Sequence, residues 1–352
     1  MLLCIGFIWS CSDSPQDPEI KTNPPKCWDD QIEAEINTTY NNYFTRYGAG
    51  WTGGDATYSI PIDATRNLWI FGDTFLGTVN SNRSRPATGL INNSFVIQNG
   101  ENFTTHYAGS AASPEALLRP AENGWWYWPA HGQMHNGHIQ VLMFAMKPLG
   151  TSGAWNFQYA AIDLVTLSLP NLEVVSQERI MEYDKINYGA CILNDVNYTY
   201  IYGSKNTGSA KYLNIARVSG TDLSGTWEFY VGNNTWDTDA TKAATQNISV
   251  SDQFSVIKKR GSYYLMTQTG YLGKELYLYK SNSPVDTFTA RQTIYCTPET
   301  GGNIFTYNAF VHDQFSDDDE LLISYNNNSS DFNDLFTNAD NYRPHFINVT
   351  GW

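Results

Sequence analysis

The sequence predicts an all-β protein folded as a five-bladed β-propeller. From Trp51 onward, apolar residues come in short runs broken by Gly, Asn, Asp and Pro, and no stretch sustains a 3.6-residue period. The runs recur as an aromatic-rich strand pair, five times, at intervals of roughly 60–70 residues. Regular return of one supersecondary unit marks a propeller or array rather than a sandwich, and this interval holds a four-stranded sheet with its loops. The aromatic content of 14%, with 11 Trp and 23 Tyr, suits pleated surfaces and stacking on sugar rings.

The elements follow in order. A short helix is expected around residues 31–36, ahead of the first blade. The five inner pairs are residues 55–62 with 68–72, 125–133 with 138–144, 188–193 with 198–203, 253–258 with 262–267, and 307–313 with 320–325. Outer strands are expected at 93–98, 157–162, 212–218 and 275–279, with a further stretch at 227–231. The last strand, over 342–349, is expected to close the ring against the N-terminal segment. No composition break marks a second domain, so residues 31–352 form one propeller.

The N-terminus reads as targeting sequence rather than fold. Leu2–Trp9 is apolar but too short to span a bilayer. It ends at Ser10-Cys11 and runs into Ser12-Asp13-Ser14 and a Pro- and Asp-rich tract. This resembles a bacterial lipoprotein signal over residues 1–10, with Cys11 as the lipidated residue and 11–30 as a tether. The expected location is the bacterial cell envelope, lipid-anchored in the periplasm or on the outer-membrane surface. No Lys or Arg precedes the apolar run, and Trp9 is bulky for its position, both departures from that pattern. Net charge of −14 argues against nucleic acid and anionic membrane as partners. Beyond Cys4 and Cys11 there remain Cys27, Cys191 and Cys296, which cannot all pair and lack zinc spacing. Cys191 reads as a small buried residue in a strand.

The chain is organised around Gly53-Gly54-Asp55 and Phe71-Gly72-Asp73. The polar turn at 62–67 makes their strands a hairpin, which places Asp55 and Asp73 at one end on neighbouring strands. Two carboxylates held together are what glycosidic cleavage requires. Inner strands of a propeller begin at one face of the channel, so residues at those starts converge. They are Asp55, then Trp126, Trp128 and His131, then Asn187 and Tyr188, then Asp252 and Gln253, then Tyr307, Asn308 and His312. Asp55, Asp73 and Asp252 are the candidate catalytic residues, and Trp126, Trp128, His131, Tyr188, Gln253, Tyr307 and Asn308 the candidate substrate-binding ones. His131, His135 and His138 have no zinc spacing, and at least two of them are expected on a turn. No metal site is expected, and the expected partner is a carbohydrate bound by a monomer.

An Asp before the first inner strand, with an aromatic-rich strand after it, resembles the five-bladed glycosidases of the arabinanase, β-xylosidase and levansucrase kind. The motifs Gly53–Ser59, Phe71–Gly77, Ser324-Tyr325-Asn326 and Tyr342-Arg343-Pro344-His345-Phe346 are similar to an uncharacterised family of secreted bacterial propellers. A related propeller group cleaves D-arabinan. The last motif adds Arg343 to the substrate-binding candidates. The resemblance implies an Asp base or nucleophile at Asp55, an Asp on another blade and a Glu acid in the middle blade. That blade begins Ile186-Asn187-Tyr188-Gly189-Ala190 without a Glu, and the second offers Trp128 and His131 where an Asp is implied. Asp252, Asp73 or Glu115 then has to supply the acid. The resemblance allows calcium in the channel; nothing in the residues demands a cofactor. Two readings follow: a glycoside hydrolase, or a non-catalytic surface protein that binds glycans.

Overall fold

The computed structural model describes residues 26–86, 88–152, 156–270 and 272–352. Lipidation at Cys11, the signal segment and most of the tether fall outside them. The architecture is all-β, built on five antiparallel sheets of four or five strands. In the first, Tyr58–Pro61, Arg66–Phe71, Ser94–Asn99 and Asn102–His106 pair in chain order. The second holds Trp126–His135, His138–Lys147, Gln158–Ser168 and Glu173–Glu182. Ile186–Asp195, Tyr198–Asn206, Lys211–Ser219, Glu228–Gly232 and Thr235–Asp237 make the third. The fourth comprises Ser255–Lys259, Ser262–Gln268, Glu275–Ser281 and Thr289–Cys296. In the fifth, Ile304–Val311, Glu320–Ser329 and Pro344–Thr350 are joined by Glu33–Ile36 from the N-terminal segment.

Alternation along the strands explains how these sheets pack. Side chains of a strand point to opposite faces by turns. Leu68 and Ile70 enter a core shared with the second sheet, whereas Trp69 and Phe71 enter one shared with the fifth. Both faces are buried, so the strand reads as an unbroken apolar run. Further cores lie between sheets two and three, three and four, and four and five.

The N-terminal segment differs from the expectation. Residues 31–36 are not helical: Ile32 and Ala34 are buried between exposed neighbours, a period of two, and Glu33–Ile36 pairs with Ile347–Thr350. The helix lies at Thr38–Phe44, where Asn37 Oδ1 accepts from the Tyr40 N–H at 2.9 Å. Phe44, at its end, packs on Trp69 with centroids 4.9 Å apart. The end of the expected tether also belongs to the fold. Cys27 forms a disulfide with Cys296, and the buried Trp28 ring stacks on Tyr295 at 5.4 Å. Cys191 is buried and free.

Candidate active site

The hairpin carrying the two aspartates is kinked at both. Ala56 and Thr57 take φ of 66° and 53°, so the first strand starts at Tyr58 and Trp51–Gly54 pairs separately with Thr74–Leu76. Between the two ladders, Asp55 N–H donates to the Asp73 carbonyl at 3.3 Å and Gly72 N–H to the Asp55 carbonyl at 3.0 Å. The carboxyl of Asp55 lies against Gly72, where any Cβ would collide with its Oδ1. Gly53 is likewise closed over by the Tyr342 carbonyl and the Arg85 guanidinium.

Each carboxyl has its own donors. Tyr307 Oη donates to Asp55 Oδ2 at 2.7 Å, and Asn328 Nδ2 donates to that phenol at 3.2 Å. Tyr342 is a second hydroxyl partner of Asp55. Trp128 Nε1 and Asn92 Nδ2 both donate to Asp73 Oδ1, at 2.9 and 3.2 Å. The Trp128 ring meets Trp126 at 6.2 Å and Phe157 at 4.7 Å, both edge to face. Both aspartates keep solvent-accessible surface while densely surrounded by protein. Burial pushes Asp55 up to about 6, against the lowering effect of its Tyr307 and Tyr342 partners. Asp73 is pushed up to about 7, first by burial and then by the charge of Asp55. A pair that cannot readily ionise twice holds one proton and one charge near neutrality. Asp73 is pushed higher than Asp55 although both of its N–H donors, which favour its ionised form, fall on Oδ1.

His131 has a different position from the one expected. Its Nδ1 accepts from Ile192 N–H at 3.0 Å and its Nε2 donates to the Ser59 carbonyl at 3.2 Å. One imidazole thus ties the inner strands of sheets one, two and three, and burial lowers its pKa to about 4, so it is neutral. His312 is fully buried between Ser59 Oγ and Ser324 Oγ. Among the other candidates, Tyr188 is a core residue at 1% exposure, packed on Phe229. Gln253 is buried and donates to the Ala56 carbonyl, bracing the turn after Asp55 from sheet four. Arg343 is buried too; its Nε donates to the Thr52 carbonyl at 3.0 Å and its Nη1 to Asp340 at 2.5 Å. Gln253 and Arg343 thus spend polar atoms on the backbone around Asp55 and on Asp340, and Tyr188 lies in the core between sheets two and three. Asp252 is ion-paired with the buried Lys211. Asn308 has left-handed backbone, φ 55°, in a bulge beside Tyr307. Glu115 is exposed on a surface hairpin with Arg119 at 3.2 Å. His135 and His138 flank the two-residue turn at Asn136-Gly137. Among the described residues, no group of three or more His, Cys, Asp or Glu is placed to hold a metal.

Asn92, Asn328 and Tyr342 complete the site and were missed in the sequence. Tyr342 stands in a motif quoted above, but its neighbour Arg343 draws the attention. Asn92 follows the short strand Leu90–Ile91 and carries no sequence signal of its own.

A family described as a domain of unknown function, DUF5005, matches residues 37–352. The chain belongs to the DUF5005 family. No curated protein matches it. Among solved structures, a provisionally assigned hydrolase from Bacteroides ovatus is similar, with a TM-score of 0.81 at 23% identity, covering 96% of this chain and 97% of that one. The GH43_1 enzyme from Xanthomonas citri, crystallised with xylotriose, is similar with a TM-score of 0.50 at 13% identity, covering 91% and 89%. At these identities the likeness is one of fold. It shows that this DUF5005 chain has the fold of those two proteins.

Proposed function

We propose that this DUF5005 protein is a glycoside hydrolase in which Asp73 is the general acid and Asp55 the base or nucleophile. The observation that carries this is the Asp55–Asp73 pair itself: two adjoining carboxyls, raised in pKa, donor-stabilised and still reachable from solvent. Asp73 Oδ2–H protonates the departing glycosidic oxygen. Asp55, held ionised by Tyr307 and Tyr342, takes the proton of the attacking water or attacks the anomeric carbon itself. The anomeric configuration of the product distinguishes these. Trp126 and Phe157 flank Trp128 and give the sugar an aromatic wall. The similar Xanthomonas citri enzyme was crystallised with a xylo-oligosaccharide, which supports a carbohydrate as the ligand.

The five sheets are, on this reading, the five blades of a propeller, since their cores succeed one another and the last joins sheet five to sheet one. The protein works in the cell envelope, anchored through Cys11. The test is incubation with arabinan, xylan and fructan, with released reducing ends measured for the wild type and Asp73→Asn. Release by the wild type, abolished in the variant, is expected. A second reading, a non-catalytic glycan binder, is favoured by one feature: residues 186–190, where the resemblance implies an acid, contain no carboxylate. Saturable binding of one of these polysaccharides with no release of reducing ends would establish it.

A further inference from the structure

The fourth sheet carries a second concavity, away from the aspartate pair. Gln253 stands at the aspartate end, bonded to the Ala56 carbonyl. The inner strand Ser255–Lys259 then runs away from it to the turn at Arg260, seven residues on, or roughly 20 Å at the rise of an extended chain. There a cavity of about 420 Å³ is lined by Arg260, Tyr264, Lys280, Arg291, Gln292 and Trp352, with Ala290. Its volume lies in the range of small-molecule sites.

The lining is charged in one sense. Three cations and no acid form the wall of a cavity in a chain of net charge −14. All three residues are exposed, Arg291 is hydrogen-bonded to the Tyr279 hydroxyl, and among the described residues none forms an ion pair with a carboxylate side chain. Buried beneath them are Tyr264 and Trp352, in edge contact at 4.8 Å. The Arg260 guanidinium lies 4.0 Å over the Trp352 ring and donates to the Trp352 carbonyl at 3.2 Å. The Lys280 ammonium lies 5.5 Å over the Tyr264 ring, and Arg291 4.7 Å over that of Tyr277. Stacking fixes the cations in place without neutralising them. With Arg260 engaged by the Trp352 ring and carbonyl, Lys280 and Arg291 still present two charges without a carboxylate partner.

We infer that this cavity is a secondary binding site for an acidic sugar, held by a carboxylate or sulfate group among Arg260, Lys280 and Arg291. The guanidiniums offer the planar fork that matches such an oxyanion. The volume of about 420 Å³ admits a sugar, and the strongly acidic remainder of the surface disfavours a long polyanion such as nucleic acid. The site would hold the protein on an acidic glycan while leaving the Asp55–Asp73 end free. It does not depend on that end being catalytic.

Calorimetric titration with four probes tests it: oligogalacturonate, a heparin-derived hexasaccharide, inorganic sulfate and neutral xylo-oligosaccharide. The wild type should bind at least one acidic oligosaccharide, more weakly as salt rises. Lys280→Ala and Arg291→Ala should each weaken binding roughly threefold, within the span of an exposed charge pair. Lys280→Glu should weaken it at least about tenfold, by exchanging attraction for repulsion. Both positions are exposed, so unchanged melting temperatures are expected for the three variants and would separate a binding effect from misfolding. The inference is overturned if neither acidic oligosaccharide binds, if inorganic sulfate alone binds, or if the three variants bind like the wild type.

Discussion

Replacing Tyr307 with Phe should shift the acidic limb of the pH–rate profile upward. The Tyr307 phenol donates to Asp55 Oδ2 at 2.7 Å and favours the ionised carboxylate. A hydrogen bond to a charged group is worth about 1.5–3 kcal/mol, and one pKa unit corresponds to about 1.4 kcal/mol. Removing the donor should therefore raise Asp55 by about one to two units, from about 6 into the range where Asp73 lies, about 7. The ionised fraction of Asp55 near pH 6.5 then falls, so kcat/KM there should drop by about 3-fold for a one-unit rise and about 25-fold for a two-unit rise. The ring itself stays, with its contact to Phe305 at 5.6 Å, so the packing is preserved. The assay is kcat/KM from pH 4 to 9, read beside carboxyl carbon NMR titrations of both proteins. The two steps observed belong to the pair. An acidic limb that does not move in Tyr307→Phe would refute the reasoning.

Other consequences concern stability and location. Both aspartates titrate above the ordinary carboxylate value, so the folded protein holds protons that the unfolded chain has released. That stability is complete only below about pH 4 and is lost as pH rises from there through 6 and 7, with the sign of a raised folded-state pKa. Asp73→Asn should leave the melting temperature at pH 4 unchanged and stabilise the protein at pH 8 by about 1–2 kcal/mol, allowing for partial exposure; equal loss at both pH values would contradict this. His131→Ala removes one ring that bridges three inner strands and should cost about 2–4 kcal/mol in urea unfolding. Reducing the Cys27–Cys296 disulfide, which spans 269 residues, should cost about 3–5 kcal/mol, measured by denaturation with and without dithiothreitol. Cys11→Ala should move the protein from the membrane fraction to the soluble one, and retention in the mutant would refute the lipid anchor.

Strands were legible because both faces of the inner ones are buried and their aromatic runs stand out between polar turns. The hairpin with its two aspartates was legible as well, but not its kink: a strand was expected over 55–62, and left-handed Ala56 and Thr57 delay it to Tyr58. What escaped was decided by distant partners. The period of two in residues 31–36 is only six residues long and means little until Pro344–Thr350 offers an edge. The partner of Cys27 lies 269 residues away. Tyr188, Gln253 and Arg343 begin or adjoin strands at the right height, yet position along a strand does not say whether a side chain faces the opening or the neighbouring sheet. His131 shows the same thing: its polar ring reads as a ligand contact in sequence and proves to be a bridge between sheets.

The claim that Asp55 and Asp73 cleave a glycosidic bond is tested most directly by pairing calorimetry with product analysis on wild type and Asp55→Asn. The substitution keeps the volume and removes charge and basicity. Glycan affinity should change little, and the rate of cleavage should fall at least about 10²-fold, the lower end of what a positioned base contributes. Undiminished cleavage by Asp55→Asn would contradict the account.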